Sequence, residues 1–193
     1  YTQGEILYNR DISFEIMIGQ TVAIKGDKKV ELALHCASEI LGGGMTGRLM
    51  HTVREQKGLG TYGIYSVIQK VSDETPRVFC IQGTFSPASI KEGMECTRQL
   101  INEWHTSGVT PKELENAKDR MIGSLVIAAD TIDNLHSMVV KDILNHKKPR
   151  YEFEKFQENV RALTLSDVNN AIFKYIDPAK LTSIVVGPTD ISS

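Results

Sequence analysis

The sequence predicts an α+β domain, with helices packed on one face of an antiparallel or mixed β-sheet. Three observations carry that expectation. Runs rich in Val, Ile, Phe and Tyr gather at 13–24, at 60–85 and near the C-terminus, rather than alternating one for one with helices. The segments between them repeat apolar residues at spacings of three and four, behind recognisable helix-start residues. Two of the strand-like runs are separated only by a short polar turn, which reads as a hairpin.

Taken in order, "SFEIMIGQTVAI" from Ser13 to Ile24 reads as one or two strands, with Gly19 as a bend or bulge. Asp27 is placed to cap a helix whose inner face is Val30, Leu34, Ala37 and Leu41, and Gly42 ends it. A second helix follows from Met45, with Leu49, Met50 and Val53 at helical spacing, and stops at Gly58. "GTYGIYSVIQK" and "PRVFCIQGTF" form the hairpin around Ser72–Thr75. A Ser-Pro start then leads into a helix with Ile90, Met94, Thr97, Leu100, Ile101 and Trp104 on one stripe. Thr110, Pro111 and Glu113 make a capping box for the next helix. Further helices are expected near 132–145, 151–163 and 166–175, and "LTSIVVG" closes the chain as a strand. The whole, 1–193, reads as a single domain, and a chain starting at Tyr1 reads as one excised from a longer two-domain protein.

Composition removes several classes of function. With 22 basic against 24 acidic residues and no basic stripe, the chain lacks the charge excess that phosphate-backbone binding uses, so no nucleic-acid partner is expected. No apolar run reaches the roughly 20 residues of a membrane span. The three cysteines are isolated, which argues against a disulfide framework or a cysteine zinc knuckle. The five histidines show neither H-E-x-x-H nor H-x-x-E-H, so no metal ligand set is expected in this chain. His35 and Glu39 are four apart on one helix, but two ligands do not make a zinc site. His105 and His146 sit near helix C-termini, where the macrodipole accounts for them.

The segment "LGGGMTGRLMHTVREQKGLGTYGIYS", Leu41 to Ser66, holds what remains. Gly42 to Arg48 approximates a phosphate-binding loop, yet a helix precedes it, Arg48 stands at the Lys position and Leu49 at the Ser/Thr position. The nucleotide reading fails on each count. The glycines instead read as a helix stop and a tight reversal. Beyond them, Arg54 near a helix end and Tyr62 early in a strand could meet as two strong donors, suited to a peptide carbonyl or the oxyanion formed when it is attacked. Equally, Arg54 could pair with Glu55 or Glu31, and Tyr62 could be an ordinary strand aromatic.

This stretch resembles the second half-domain of the pitrilysin and mitochondrial-processing-peptidase family of zinc metallopeptidases, the inverzincins. The family pattern of leucine, glycines, R-L, a short helix, R-E-K-[KR]-G-L and a tyrosine-containing strand is matched by Leu41–Gly44, Arg48-Leu49, Arg54-Glu55, Gly58-Leu59 and 62–66. The resemblance implies a metallopeptidase half-domain of the pitrilysin type. It would be the non-zinc half of a zinc metalloendopeptidase, not active in isolation, that binds the peptide substrate backbone. It would complete the chamber opposite a zinc-bearing H-x-x-E-H domain or subunit. No cofactor is expected here; zinc is expected in the partner domain. Arg54 and Tyr62 match the family's catalytic and substrate-binding arginine and tyrosine. One departure stands out: "GLGTYG" replaces the usual "GLTYG" or "GLAYS", so an extra residue near Gly60 separates Tyr62 from Arg54, and a bulge there would restore its facing. The alternative is a catalytically inactive homologue acting as a structural or peptide-binding subunit. Bacterial relatives of this form suggest the periplasm.

Overall fold

The alternation in Phe14–Val22 sends Phe14, Ile16, Ile18 and Val22 inward and leaves Glu15, Met17 and Thr21 exposed, the pattern of a sheet covered on one face only. In the computed structural model of the protein, residues 2–7, 13–24, 26–70, 76–144 and 149–188 are described; within them the side chains of 2–7, 60–62, 70, 138, 141–142 and 149–153 lie outside the description. The strands are β1 (Thr2–Leu7), β2 (Phe14–Val22), β3 (Gly60–Lys70), β4 (Arg77–Phe85) and β5 (Thr182–Gly187). They form one sheet in the order β1-β5-β2-β4-β3. β5, β2, β4 and β3 are antiparallel neighbours, while β1 joins β5 in parallel, so the sheet is mixed. β1 is an element the sequence reading did not anticipate. Gly19 does not bend β2, because the β2–β4 register runs unbroken through Gly19↔Cys80.

The helices are α1 (Lys28–Gly42), α2 (Ile90–Ser107), α3 (Pro111–Ala128), α4 (Ile132–Leu144), α5 (Pro149–Ala162) and α6 (Leu165–Tyr175). Their starts follow local chemistry. The Asp27 side chain accepts from the N–H groups of Lys29 and Val30, and Thr110 with Glu113 makes the reciprocal capping box of α3. A second box, Thr164 with Asp167, opens α6. α2 begins at Ile90, past the Ser-Pro pair, and the hydroxyl of Ser89 at its N-cap donates to the Leu59 carbonyl instead of capping. The polar turn expected at 72–75 and His146 lie outside the described residues.

The core lies between the helix layer and the inner sheet face. Ile16, Ile18, Ile64, Ile68, Phe79, Ile81, Phe85 and Val185 meet Leu34, Ala37, Leu41, Ile101, Trp104 and Ile172 there. Trp104 stacks on Phe79 with ring centroids 5.9 Å apart. α1 lies against β3 and α6, which puts its C-terminal end over the start of the site.

Candidate functional site

The glycine-rich turn sets the site's foundation. A Cβ at Gly42 would stand 2.3 Å from the Ser66 nitrogen, so only glycine lets the end of α1 lie this close to β3. Ser66 reinforces the contact by donating to the Ser38 carbonyl at 2.7 Å. The Gly43 N–H donates to the Glu39 carbonyl, a short 3₁₀ turn covers Gly44–Thr46, and helical backbone resumes at Arg48 rather than at Met45.

Arg48 then ties this segment to α3. Its Nε and Nη2 donate to the two Glu113 oxygens at 2.6 and 2.7 Å, and Nη2 also reaches the Gly108 carbonyl at 2.9 Å. Burial pushes the Glu113 carboxyl up, but hydrogen bonds from Arg48 and Thr110 outweigh it and hold its pKa at about 2. The arginine at the near-phosphate-loop position is thus committed to a carboxylate. A cleft of about 320 Å³ beside the turn is lined by Ile40, Thr46, Glu113, Asn116, Asp119 and Arg120. Arg120 in it pairs with Glu39 at 3.0 Å, so Arg120 and Glu113 both stand in ion pairs.

The next seven residues, Met50–Gln56, form a π-helix. Leu49, Met50 and Val53 anchor it inward. Its closing bond spans one residue more than in an α-helix, the Lys57 N–H donating to the Thr52 carbonyl at 3.1 Å, and just past it the Leu59 N–H reaches back six residues to the Val53 carbonyl at 2.9 Å. Gly58, at φ 64°, permits this widened closure. The wider turn also brings Gln56 under His51, five residues before it, at 3.2 Å, while the other ring nitrogen of His51 meets Glu55 at 2.9 Å.

Arg54 projects from this turn, half-buried. Its two sequence-suggested ion-pair partners are engaged elsewhere, Glu55 with His51 and Glu31 with Arg77 at 2.6 Å. Among the described residues the Arg54 guanidinium has no ion-pair or hydrogen-bond partner.

β3 follows at once. Gly60 pairs with Phe85 and Ile64 with Gly83, so β3 spends four residues where β4 spends two. The register shift falls where the sequence carries its extra residue, and the surplus of two keeps the strand's alternation. Tyr62 sits in this bulge by its backbone; its side chain lies outside the described residues. Tyr65, the next aromatic, is exposed on the uncovered sheet face, where its hydroxyl donates to Gln82.

Metal chemistry finds no donor set here. Among the described residues no three His, Cys, Asp or Glu side chains gather where they could hold an ion. Of the pair His35 and Glu39, Glu39 is engaged by Arg120, and burial lowers the His35 pKa, opposed by Glu31 and aided by Arg77. Among the described residues these two side chains do not make a zinc site. The cysteines are buried, and burial raises the Cys36 thiol to about 11.

Comparison with known proteins places this geometry in a family. Residues 9–121 match the family model described as the peptidase M16 inactive domain. The chain is 31% identical over 132 residues to the uncharacterized zinc protease YmxG of Bacillus subtilis (strain 168), covering 68% of this chain and 31% of that protein. It is 26% identical over 156 residues to the uncharacterized zinc protease Rv2782c of Mycobacterium tuberculosis (strain ATCC 25618 / H37Rv), covering 81% of this chain and 34% of that protein. The chain therefore spans about a third of the length of the curated relatives it matches. Among solved structures, the peptidase M16 inactive domain from Pseudomonas fluorescens superposes with a TM-score of 0.79 at 27% identity, over 98% of this chain and 43% of that one. The periplasmic protease PqqL from Escherichia coli shares the fold, with a TM-score of 0.75 at 16% identity, over 97% of this chain and 20% of that one.

Proposed function

The chain belongs to the inactive-domain family of the M16 zinc proteases, and we propose that it acts as the non-zinc half of a zinc metalloendopeptidase, gripping the peptide backbone opposite a zinc-bearing H-x-x-E-H domain. The observation that carries this reading is Arg54. A half-buried guanidinium that has no counter-ion among the described residues is costly to keep and leaves donors for a ligand. A peptide carbonyl fits those donors, and the tetrahedral oxyanion fits them better because it carries full charge. Zinc in the companion domain would supply the activated water. Arg54 orients the scissile segment and takes up charge as it develops; Tyr62, placed by the strand that follows, is the second donor in this proposal.

Exposed apolar side chains support a companion. Met17 and Ile184 stand open on the uncovered sheet face, and Ile132, Ile143 and Leu144 on α4. Met17 and Ile184 are cross-strand neighbours, and an exposed apolar cluster is ordinarily covered by a partner.

The test is turnover of an internally quenched peptide by the chain combined with its zinc-bearing companion. Arg54→Ala should lower kcat roughly ten- to a thousandfold, the range for losing one oxyanion donor. Arg54→Lys, which keeps charge but not the planar fork, should recover only part of that loss. Unchanged turnover in Arg54→Ala refutes the role.

A further inference from the structure

We infer that the cleft between the glycine turn and α3 binds an organic cation, an ammonium or guanidinium head carried on an aliphatic stem.

The cleft opens where the 3₁₀ turn Gly44–Thr46 meets α3, and its volume of about 320 Å³ suits a single side chain or a small molecule. One wall is α3. Glu113, Asn116 and Arg120 recur there at spacings of three and four and share a face, with Asp119 three residues after Asn116 beside them. Thr46 stands on the opposite side, and Ile40 of α1 supplies the apolar part of the lining.

Charge decides the class of ligand. Arg48 is matched by both oxygens of Glu113, and Arg120 by Glu39 at 3.0 Å. Glu39 folds back over the turn towards Arg120 because Gly43 leaves room for it: a Cβ there would lie 2.2 Å from the carboxylate. With those two pairs formed, the charge left over at the cleft is Asp119. Among the described residues its carboxylate has no ion-pair or hydrogen-bond partner, and neither have the Asn116 carboxamide and the Thr46 hydroxyl. An anion would find both guanidinium groups already facing carboxylates. A cation finds one unmatched negative charge with neutral oxygens around it.

The lining narrows the choice further. The head of the ligand can donate to the Asp119 carboxylate, to the Asn116 side-chain carbonyl and to the Thr46 hydroxyl oxygen, and the first of these bonds is charge-assisted. Ile40 gives a methylene stem an apolar surface to lie on, a contact of no use to a metal ion. A lysine side chain and a free diamine both have this chemistry. The cleft shares Glu113 with the Arg48 clamp, but none of its free groups belongs to the Arg54 turn, so the inference stands apart from the role proposed for Arg54.

Two-dimensional amide NMR of the 193-residue chain tests this. The probes are Nα-acetyl-lysine methylamide, its Nε-acetylated neutral twin, and cadaverine, all at matched ionic strength. The cationic probes should shift the amides of 43–47 and 116–120 saturably at millimolar concentration, and the neutral twin should not. Asp119→Asn keeps the shape and removes the charge on an exposed helix position, so it should leave the urea midpoint unchanged and weaken binding about tenfold. The tighter of the two cationic probes identifies the source, a peptide side chain for the lysine amide and a free amine for cadaverine. Shifts centred elsewhere, equal shifts by the neutral twin, equal affinity in Asp119→Asn, or no shift at tens of millimolar each overturn the inference. So does equal saturation by calcium, which would make the cleft a site for an inorganic cation.

Discussion

Replacing Glu113 by Gln strikes the clamp that holds the Arg54 segment against α3, and its cost follows from the geometry. Gln can still accept from Thr110 and keep the helix cap, so what is lost is the charge facing Arg48. That pair is bidentate, with side chains 22% and 29% exposed. Burial raises the Glu113 pKa, while Arg48 and Thr110 lower it further, to about 2. Each unit below the ordinary carboxylate value corresponds to about 1.4 kcal/mol, which makes the charged form worth roughly 2–3 kcal/mol near neutrality. The sign is that of a depressed acid: the stability is present above the unfolded-state pKa and lost as pH falls through the folded one. The variant should therefore be less stable by about 2–3 kcal/mol at pH 7, by roughly half that at pH 3, and hardly at all at pH 2. Urea unfolding followed by the fluorescence of Trp104, the only tryptophan and 1% exposed, gives the measurement. A difference under about 0.5 kcal/mol at pH 7, or one that does not shrink towards pH 3, refutes the clamp.

Two further measurements probe the same region. Gly42→Ala forces a Cβ to within 2.3 Å of the Ser66 nitrogen and should cost about 3 kcal/mol or more, whereas Gly44→Ala, at φ 59° with open space around it, should cost only about 1–2 kcal/mol; equal losses in urea melts would refute the close-approach account. Cys36, Cys80 and Cys96 are buried, and burial raises the first to about 11, so a chromogenic disulfide reagent should find no fast thiol in the folded chain and three after denaturation; a rapidly reacting thiol at pH 8 contradicts that packing.

Local chemistry made much of the fold readable. Asp27 and Thr110 cap helices because the groups they satisfy lie two or three residues away, and the stripe Ile90, Met94, Thr97, Leu100, Ile101 and Trp104 is buried because one period fixes one face. β1 was missed for the opposite reason. Its partner is β5, at the far end of the chain, and no local signal reports a pairing of Ile6 with Val186. Gly19 misled because a glycine in a strand signals either a bulge or a close approach, and here the neighbour is the Phe79 carbonyl, 2.5 Å from where a Cβ would stand. The bond from Arg48 to Glu113 crosses 65 positions and is equally beyond any local pattern, although each residue is conspicuous in its own segment.

The π-turn is the part of the site that periodicity could not deliver. Leu49, Met50 and Val53 satisfy an α-helical pattern, and the wider turn becomes legible only when the chain is fixed at both ends. Arg48 holds the entry to α3, and Leu59, buried and accepting from Ser89, holds the exit to α2. Between those anchors an inserted helical residue is accommodated by i→i−5 bonding, which rotates the residues after it relative to an α-helix. One result is visible: Gln56, five residues on, reaches His51, whose other ring nitrogen meets Glu55 by the ordinary i,i+4 contact. Residues adjacent in a helical turn do not face each other, so Glu55 is not placed to neutralise Arg54, and among the described residues its guanidinium has no counter-ion. A member of the fold in which this segment relaxed to an α-helix would keep the His51–Glu55 pair, an i,i+4 contact, and lose only the Gln56–His51 one.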